Sequence, residues 1–149
     1  TFASAGWQPY YDKIETEKVM QYADYMNIMT YDQVSGVSVY TGHHTPLGDI
    51  PLSTMVSTPF GKHLDSLRQA EPTADHGPHS VMKIVDYLLG KGLSPKQLVI
   101  GAAFYGRAWK VNPDNNGLYQ LSRGIHIGWS QYAHIRDNFE PDANYVRYW

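Results

Sequence analysis

One stretch of the sequence, Tyr25 to Asp32, constrains the fold more than any other. It is a short apolar and aromatic run that ends in a phenol and a carboxylate, with Ser35-Gly36 just beyond it. A run of this length and composition is typical of a strand buried on both faces. In parallel α/β folds the carboxyl ends of strands carry the chemistry. Tyr31 and Asp32 therefore form either a candidate site or the ordinary cap of a strand.

The size and charge of the chain exclude several classes of protein. At 149 residues it has the size of one domain. The formal net charge of -2, without a long run of either sign, argues against a nucleic-acid or anionic-membrane partner, since both favour a basic face. No apolar run approaches the ~20 residues of a membrane span. The absence of Cys excludes disulfides, thiolate catalysis and Cys-ligated metal sites.

Hydrophobic periodicity predicts further strands and helices. Val81, Ile84, Val85 and Leu88 form one apolar stripe, which predicts a helix over 79–89. We expect the strands to be parallel, because each is followed by an excursion from its carboxyl end. The other predicted elements are strands over 1–5, 98–104 and 144–149, helices over 12–23 and 128–135, and a helical turn within 61–70.

The predicted order of strands and helices fits either a doubly wound sheet or part of a (β/α)8 barrel. Tyr105, Arg107 and Trp109 follow the last of the parallel strands, at the level of the first site candidate. Polar aromatic residues at successive strand ends are typical of barrels. The alternation stops beyond this segment. The barrel is therefore favoured over the doubly wound sheet, as a partial barrel of the α/β class, and the tail from residue 110 indicates an inserted subdomain.

Three stretches occur together in a specific order: Tyr25 to Asp32, the Gly42-His43-His44-Thr45-Pro46-Leu47 loop, and Leu98 to Trp109. Together they resemble glycoside hydrolase family 18, the chitinases and chitinase-like proteins. The resemblance implies that the three predicted parallel strands are barrel strands five, six and seven of a partial TIM barrel over 1–109. It also implies that residues 110–149 begin an α+β subdomain inserted after strand seven. It also implies a secreted or extracellular protein whose partner is chitin or a chito-oligosaccharide.

The resemblance assigns roles to individual residues. Retaining hydrolysis in this family is substrate-assisted: the acetamido carbonyl of the sugar attacks its own anomeric carbon while an enzyme acid protonates the leaving oxygen. Tyr31 would donate its hydroxyl to that carbonyl, and Asp32 would hydrogen-bond sugar hydroxyls near the cleaved bond. No cofactor and no metal are implied. The substrate-binding residues would be Met29, beneath the acetamido methyl, and Tyr105, Arg107 and Trp109, on the leaving-group side.

The sequence departs from the family pattern in two places. The family's acid ends an Asp-x-x-Asp-x-Asp-x-Glu run on strand four, and no such run occurs here. The strand-eight Trp that floors the cleavage subsite is also missing. We therefore expect the 149-residue chain alone to be inactive. We also expect the remainder of its barrel, or a second copy of the chain, to cover its outer strands.

Three alternatives remain open. A chitinase-like lectin would share the barrel and the sugar groove but have its strand-four Glu replaced. An endo-N-acetylglucosaminidase acting on protein-linked glycans shares the acetamido-assisted chemistry, although the long insertion favours chitin. A metal-dependent hydrolase would use His43, His44 and either His126 or Asp32. Adjacent histidines on an extended loop usually point to opposite sides, which argues against this metal site.

Overall fold

The computed structural model describes residues 1–112 and 114–142, which contain a three-stranded parallel sheet and a two-stranded antiparallel sheet. The parallel strands are β1 (Phe2–Ala5), β2 (Met26–Met29) and β3 (Leu98–Ile100), and the antiparallel strands are β4 (Tyr105–Trp109) and β5 (Ile125–Gln131). The helices are α1 (Gln8–Tyr11), α2 (Thr16–Val19), α3 (Pro59–Ala70), α4 (Val81–Gly90) and α5 (Tyr132–Asn138). Short 3-10 helices span Leu52–Thr54, Pro95–Gln97 and Asp114–Gly117.

The parallel sheet has the order β1-β2-β3 and is covered on one face. Met26 and Ile28 of β2 are buried and belong to one core with Ile84 and Leu88 of α4. The prediction that β2 is buried on both faces is wrong for the described chain. Residues 27 and 29 of this strand are exposed, because nothing in 1–112 or 114–142 covers the opposite face.

Side-chain caps set the starts of the two longest helices. Ser80 Oγ accepts a hydrogen bond from Lys83 N at 3.0 Å, so α4 begins at Val81, two residues after the predicted start. Thr58 Oγ1 accepts from Gly61 N at 3.2 Å in the first turn of α3. A Cβ on Gly61 would lie 2.0 Å from Met55 O, so this close approach requires glycine. The predicted helical turn is therefore a full helix of 12 residues.

Two predicted elements are shorter than the sequence indicated. The helix predicted over 12–23 is reduced to the four residues of α2, because Glu15 has a ψ of 71° and lies outside the helical region. Helix α1 ends at Tyr11, before the predicted start. The strand predicted over 98–104 ends at Ile100. Its pairing continues for one more residue, since Gly101 N donates to Ile28 O at 2.9 Å.

The antiparallel sheet was not predicted. Tyr105 pairs with Gln131, so the chain is still extended where the sequence predicted a helix over 128–135. That prediction is wrong in its start, because pairing with β4 holds the backbone extended until Gln131. Helix α5 then begins at Tyr132, whose N donates to Phe104 O at 3.0 Å. The strand predicted over 144–149 lies outside the described residues.

The long segment between β2 and α4 has a small core of its own. Met55 and Leu64 are buried there against Tyr119, which lies between β4 and β5 in the sequence. Thr41 N donates to Gln120 O at 2.9 Å and joins the start of the segment to the same region. No helix of the described residues is long and apolar enough to cross a membrane.

Candidate functional site

The candidate site forms where the chain leaves β2. Thr30 is buried, and its Oγ1 donates to Gly101 O at 2.7 Å, which fastens the end of β2 to the end of β3. A Cβ on Gly101 would lie 2.7 Å from Ile28 O and 3.0 Å from Tyr31 Cε1. Glycine at this position therefore lets the Tyr31 ring lie close against the end of β3.

Asp32 has a backbone conformation that is uncommon for a residue with a side chain. Its φ is 57°, in the left-handed region, which costs roughly 1–2 kcal/mol for most L-residues. Asp and Asn enter this region more readily than other residues with a Cβ. Strained backbone of this kind persists where surrounding contacts fix it, and such contacts are present here.

The Asp32 carboxylate is fixed by two side chains of β4. Arg107 Nε donates to Oδ1 and Arg107 Nη2 to Oδ2, each at 2.7 Å, in the two-point geometry that matches a guanidinium to a carboxylate. Tyr105 Oη donates to Oδ2 at 2.8 Å. The carboxylate side chain is nevertheless 29% exposed. Residues separated by 73 and 75 positions in the sequence are thus held at one point that a ligand can reach.

Aromatic rings surround this ion pair. The Arg107 guanidinium lies 5.0 Å from the centroid of the Tyr105 ring. The Tyr31 ring packs on Tyr105 edge to face, with 6.0 Å between the centroids and 76° between the planes. The structure therefore brings together Tyr31, Asp32, Tyr105 and Arg107, four of the six residues that the sequence proposed for the site.

The contacts of this cluster fix its protonation states. Hydrogen bonding from Arg107 lowers the pKa of Asp32, although partial burial opposes the shift, and it raises the pKa of Arg107. Burial, together with the hydrogen bond to Asp32, raises the pKa of Tyr105 to about 12. At neutral pH the site thus contains a carboxylate, a guanidinium cation and a neutral phenol. Carboxylate oxygens accept several hydrogen bonds each, so Asp32 can accept from a ligand as well.

His44 belongs to this site, although the sequence proposed it only as a ligand in the metal-dependent alternative and not as a sugar-site residue. Its Nε2 lies 3.2 Å from Tyr105 O, and its backbone O accepts from Gln33 N at 3.1 Å. Because a carbonyl only accepts, Nε2 carries the proton, and Nδ1 faces Asp32 Oδ1 at 3.7 Å without a hydrogen bond. Burial lowers the pKa of His44, against the pull of the carboxylate. The signal was available, since His44 lies in one of the three stretches that carry the family resemblance.

Among the described residues, no hydrogen bond, ion pair or ring contact is found that joins the side chain of Met29 or Trp109 to the cluster. Met29 is 38% exposed at the end of β2, on the uncovered face of the sheet. Trp109 lies at the far end of β4, beyond two irregularities in the pairing with β5. Its Nε1 is buried without a hydrogen-bond partner in the described part of the chain. Their predicted contact with sugar remains a prediction.

The two adjacent histidines face different surroundings. The His44 ring packs on Tyr105 with 5.2 Å between centroids, whereas the His43 ring packs on Tyr119 at 6.0 Å. In residues 1–112 and 114–142 no three His, Cys, Asp or Glu side chains are grouped closely enough to hold a metal ion. The side chain of His126, the third ligand of that alternative, lies outside the described part of the chain. The described residues thus give the metal-dependent hydrolase no support.

Comparison with known proteins identifies the family. The family model described as glycosyl hydrolases family 18 matches residues 1–148. The chain belongs to this family. The family 18 chain is 28% identical to Chitinase A1 of Niallia circulans over 100% of its own length and 20% of that protein. It is 35% identical to Chitinase A of Pseudoalteromonas piscicida over 71% of its own length and 13% of that protein.

Solved structures show the same relationship. The family 18 N-acetylglucosaminidase of Paenibacillus barengoltzii has a TM-score of 0.75 and 32% identity, and the match covers 99% of this chain and 37% of that one. A family 18 chitinase of Cycas revoluta, solved in complex with (GlcNAc)3, shares the fold at a TM-score of 0.63 and 18% identity, over 90% of this chain and 34% of that one. The family 18 chain thus spans about a third or less of the proteins that it matches.

Proposed function

We propose that this chain supplies part of the sugar-binding and catalytic centre of a chitinase that hydrolyses β-1,4-linked N-acetylglucosamine polymers. The observation that carries the proposal is the partly exposed Asp32 carboxylate, fixed by Arg107 and Tyr105 beside the Tyr31 ring, in a family 18 chain. Two relatives are chitinases by name, and a third was solved with a chito-oligosaccharide. Chitin or a chito-oligosaccharide is therefore the proposed ligand.

The proposed mechanism is retaining hydrolysis assisted by the substrate. The acetamido carbonyl oxygen bonds to the anomeric carbon while the bond to the leaving oxygen breaks, and an acid protonates that oxygen. Water then bonds to the anomeric carbon while the bond to the acetamido oxygen breaks, and its proton returns to the acid. Tyr31 donates its hydroxyl to the carbonyl oxygen and holds the acetamido group against the anomeric carbon while the oxazolinium-like intermediate forms. Asp32, held ionised by Arg107, accepts from sugar hydroxyls near the cleaved bond. No carboxylate nucleophile, metal or cofactor takes part in this scheme.

The remaining site residues bind sugar in this proposal. Met29 lies beneath the acetamido methyl, and Trp109 contacts the leaving-group side. Tyr105 and Arg107 contact the same side and also position the carboxylate, since both already donate to Asp32. His44 helps to position Tyr105 through the hydrogen bond from its Nε2 to Tyr105 O.

We propose that the chain works as part of a longer polypeptide, in which β1, β2 and β3 are barrel strands five, six and seven and residues 110–149 begin an insertion. The family's Asp-x-x-Asp-x-Asp-x-Glu run does not occur in this sequence, so the acid comes from elsewhere. Val99 and Ile100 of β3 are 42% and 44% exposed, a surface that further strands or a second copy would cover. We propose an extracellular location, because chitin is a polymer too large to enter a cell.

A related activity has one observation in its favour. The Paenibacillus barengoltzii protein, at 32% identity, is an N-acetylglucosaminidase, so a preference for short N-acetylglucosamine oligomers is the second candidate. It differs from the first in substrate length and shares the acetamido-assisted step. A sugar-binding relative without hydrolysis remains the outcome if the polypeptide that contains this chain has no acid in the strand-four position.

The test uses the purified 149-residue chain. We expect no turnover of a chitobiose glycoside, and we expect weak binding of chitotriose by NMR titration that Tyr31→Phe weakens about tenfold through loss of one hydrogen bond. Tyr22→Phe is the control, because Tyr22 is 91% exposed. Hydrolysis that Tyr31→Phe removes would contradict the need for an external acid. Chitotriose binding that Tyr31→Phe leaves unchanged, or no binding at all, would contradict the sugar site.

A further inference from the structure

A cavity of about 390 Å³ lies behind the loop that carries His43 and His44, and we call it the loop cavity. Three aromatic rings line it, those of Tyr40, Phe60 and Tyr119. The Tyr40 ring stacks on Phe60 with 5.4 Å between centroids. Sites for small molecules are typically concave, mostly apolar and roughly 300–1,000 Å³ in volume. The loop cavity has all three properties.

Hydrogen bonds hold the walls of the loop cavity together. Thr41 Oγ1 donates to Gly117 O at 2.6 Å, and Thr41 N donates to Gln120 O at 2.9 Å. Phe60 N donates to Tyr119 O at 3.1 Å, which joins the first turn of α3 to the same segment. Three parts of the chain that are distant in sequence therefore form a built cavity.

The loop cavity is separate from the Tyr31–Asp32 site but adjoins it. Gln33, the residue after Asp32, lines the cavity, and its N donates to His44 O at 3.1 Å. His43 faces the cavity while His44 faces Tyr105. The backbone at Gln33 and at His43 and His44 thus separates the loop cavity from the Tyr31–Asp32 site.

The lining indicates a neutral ligand with both apolar and polar groups. Among the described residues that line the loop cavity there is no Asp, Glu, Lys or Arg. Four imidazoles, of His43, His63, His76 and His79, offer hydrogen-bond donors and acceptors beside the aromatic rings. Aromatic faces pack well against the C–H face of a sugar ring, and imidazoles can bond its hydroxyl and acetamido groups.

We propose that the loop cavity binds one neutral N-acetylhexosamine unit, as a second sugar site beside Tyr31 and Asp32. The identity of the sugar rests on the proposed function, whereas the neutral and partly apolar character rests on the lining alone. A second site so close to the first holds the polymer at two points and raises its local concentration at the cleavage site.

The experiment is an NMR titration of the 149-residue chain with N-acetylglucosamine, followed through the imidazole C–H signals of His43 and His63. We expect saturable shifts of both signals. Val39→Trp fills the cavity from its lining and weakens this binding about tenfold or more. Val37→Trp is the matched control, because Val37 is 81% exposed and does not line the cavity. Asp32→Asn leaves the shifts of His63 unchanged if the two sites are separate.

Three outcomes would overturn the proposal. His63 does not shift while chitotriose still binds at the Tyr31–Asp32 site, which leaves the proposed function intact. The shifts of His43 and His63 are unaffected by Val39→Trp in a variant whose methyl spectrum shows the native fold. Sulfate displaces the sugar, which would assign an anion instead. Loss of chitotriose binding alone, with the His63 shifts retained, would instead remove the proposed function and leave a sugar cavity.

Discussion

Two aspartates of this chain, Asp32 and Asp75, are both held ionised by cationic partners, yet their settings differ. Asp75 has a side chain only 8% exposed, and its partners are local: Lys83 Nζ at 2.5 Å, His79 Nδ1 at 3.4 Å and Gly77 N at 3.1 Å. The partners of Asp32 lie 73 and 75 residues away, and its side chain is 29% exposed.

The difference separates a structural carboxylate from one available for binding. Asp75 binds Lys83 and so joins the segment between β2 and α4 to the first turn of α4. Its side chain is nearly buried, so a ligand has little access to it. Asp32 has a left-handed backbone, is fixed from another strand and stays open on one side. A carboxylate that is both constrained and accessible is the arrangement expected of a group that meets a ligand.

The two carboxylates also contribute to stability in the same pH range. Burial alone would raise the pKa of Asp75, but the His79 and Lys83 side chains outweigh it and hold that pKa well below its ordinary value. The pKa of Asp32 is lowered as well, by Arg107 first. Because both are depressed, their stabilising contribution is complete above the pKa of an unfolded Asp, about 3.9, and is lost as the pH falls through the folded values.

The largest expected effect is on stability and comes from Asp75→Ala. This change removes the acceptor of Lys83 and of the Gly77 amide, so we expect the free energy of unfolding to fall by about 2–3 kcal/mol. Urea denaturation at pH 7 measures it. Asp65→Ala is the control, since the Asp65 side chain is 52% exposed and its ion pair with Arg68 is long, with 3.8 Å between Asp65 Oδ1 and Arg68 Nη1. Equal losses of unfolding free energy in the two variants would show that Asp75 contributes no more to stability than an exposed carboxylate does.

Asp32→Asn should show the opposite balance. Asn tolerates the left-handed backbone and keeps the size of the side chain, but it loses the charge that binds Arg107. We expect chitotriose binding to weaken about tenfold, while the free energy of unfolding changes less than in Asp75→Ala. NMR titration and urea denaturation give the two values. Unchanged sugar binding with a large loss of stability would make Asp32 a second structural carboxylate.

Tyr105→Phe tests one bond of the Asp32 cluster. It removes the donor to Asp32 Oδ2 and keeps the ring that packs on Tyr31 and Arg107. We expect a loss of about 1 kcal/mol in the free energy of unfolding. Tyr25→Phe is the matched control, because Tyr25 is 49% exposed. A loss no greater than that of the control would show that Arg107 alone holds the carboxylate.

The sequence predicted the strand ends better than the segments between them. Tyr31 and Asp32 end a run whose composition identifies a strand, and Tyr105 and Arg107 follow another, so parallel pairing was enough to bring them together. The pairing of Asp32 with Arg107 was not predicted, because it depends on β4. The strand is only five residues long and is interrupted by Gly106, and its partner Gln131 lies 26 positions after Tyr105.

Long-range packing explains the other errors. The 12-residue helix α3 was underestimated because its mean composition is polar, and only Leu64 and Gly61 are buried in it. The loop cavity depends on contacts between Thr41, Phe60 and the segment that contains Tyr119. No periodicity within any one of these segments indicates the other two. Contacts between segments that are distant in the sequence therefore determine α3 and the loop cavity, which the local sequence pattern does not predict.

The smallest expected effect is on the titration of His44, whose imidazole lies beside Asp32 and Tyr105. Burial favours its neutral form more than the Asp32 charge favours the cation, so its pKa is lowered. We expect its imidazole C–H signal to titrate with a midpoint below the ordinary value of about 6.5. Asp32→Asn removes the negative charge that favours the protonated imidazole, so the midpoint should fall further. Because the folded pKa is depressed, His44 contributes its stability above about 6.5 and loses it as the pH falls through the folded value. An unchanged midpoint in Asp32→Asn would mean that the carboxylate does not act on this imidazole, and the candidate site would then consist of Asp32 and its two donors on β4.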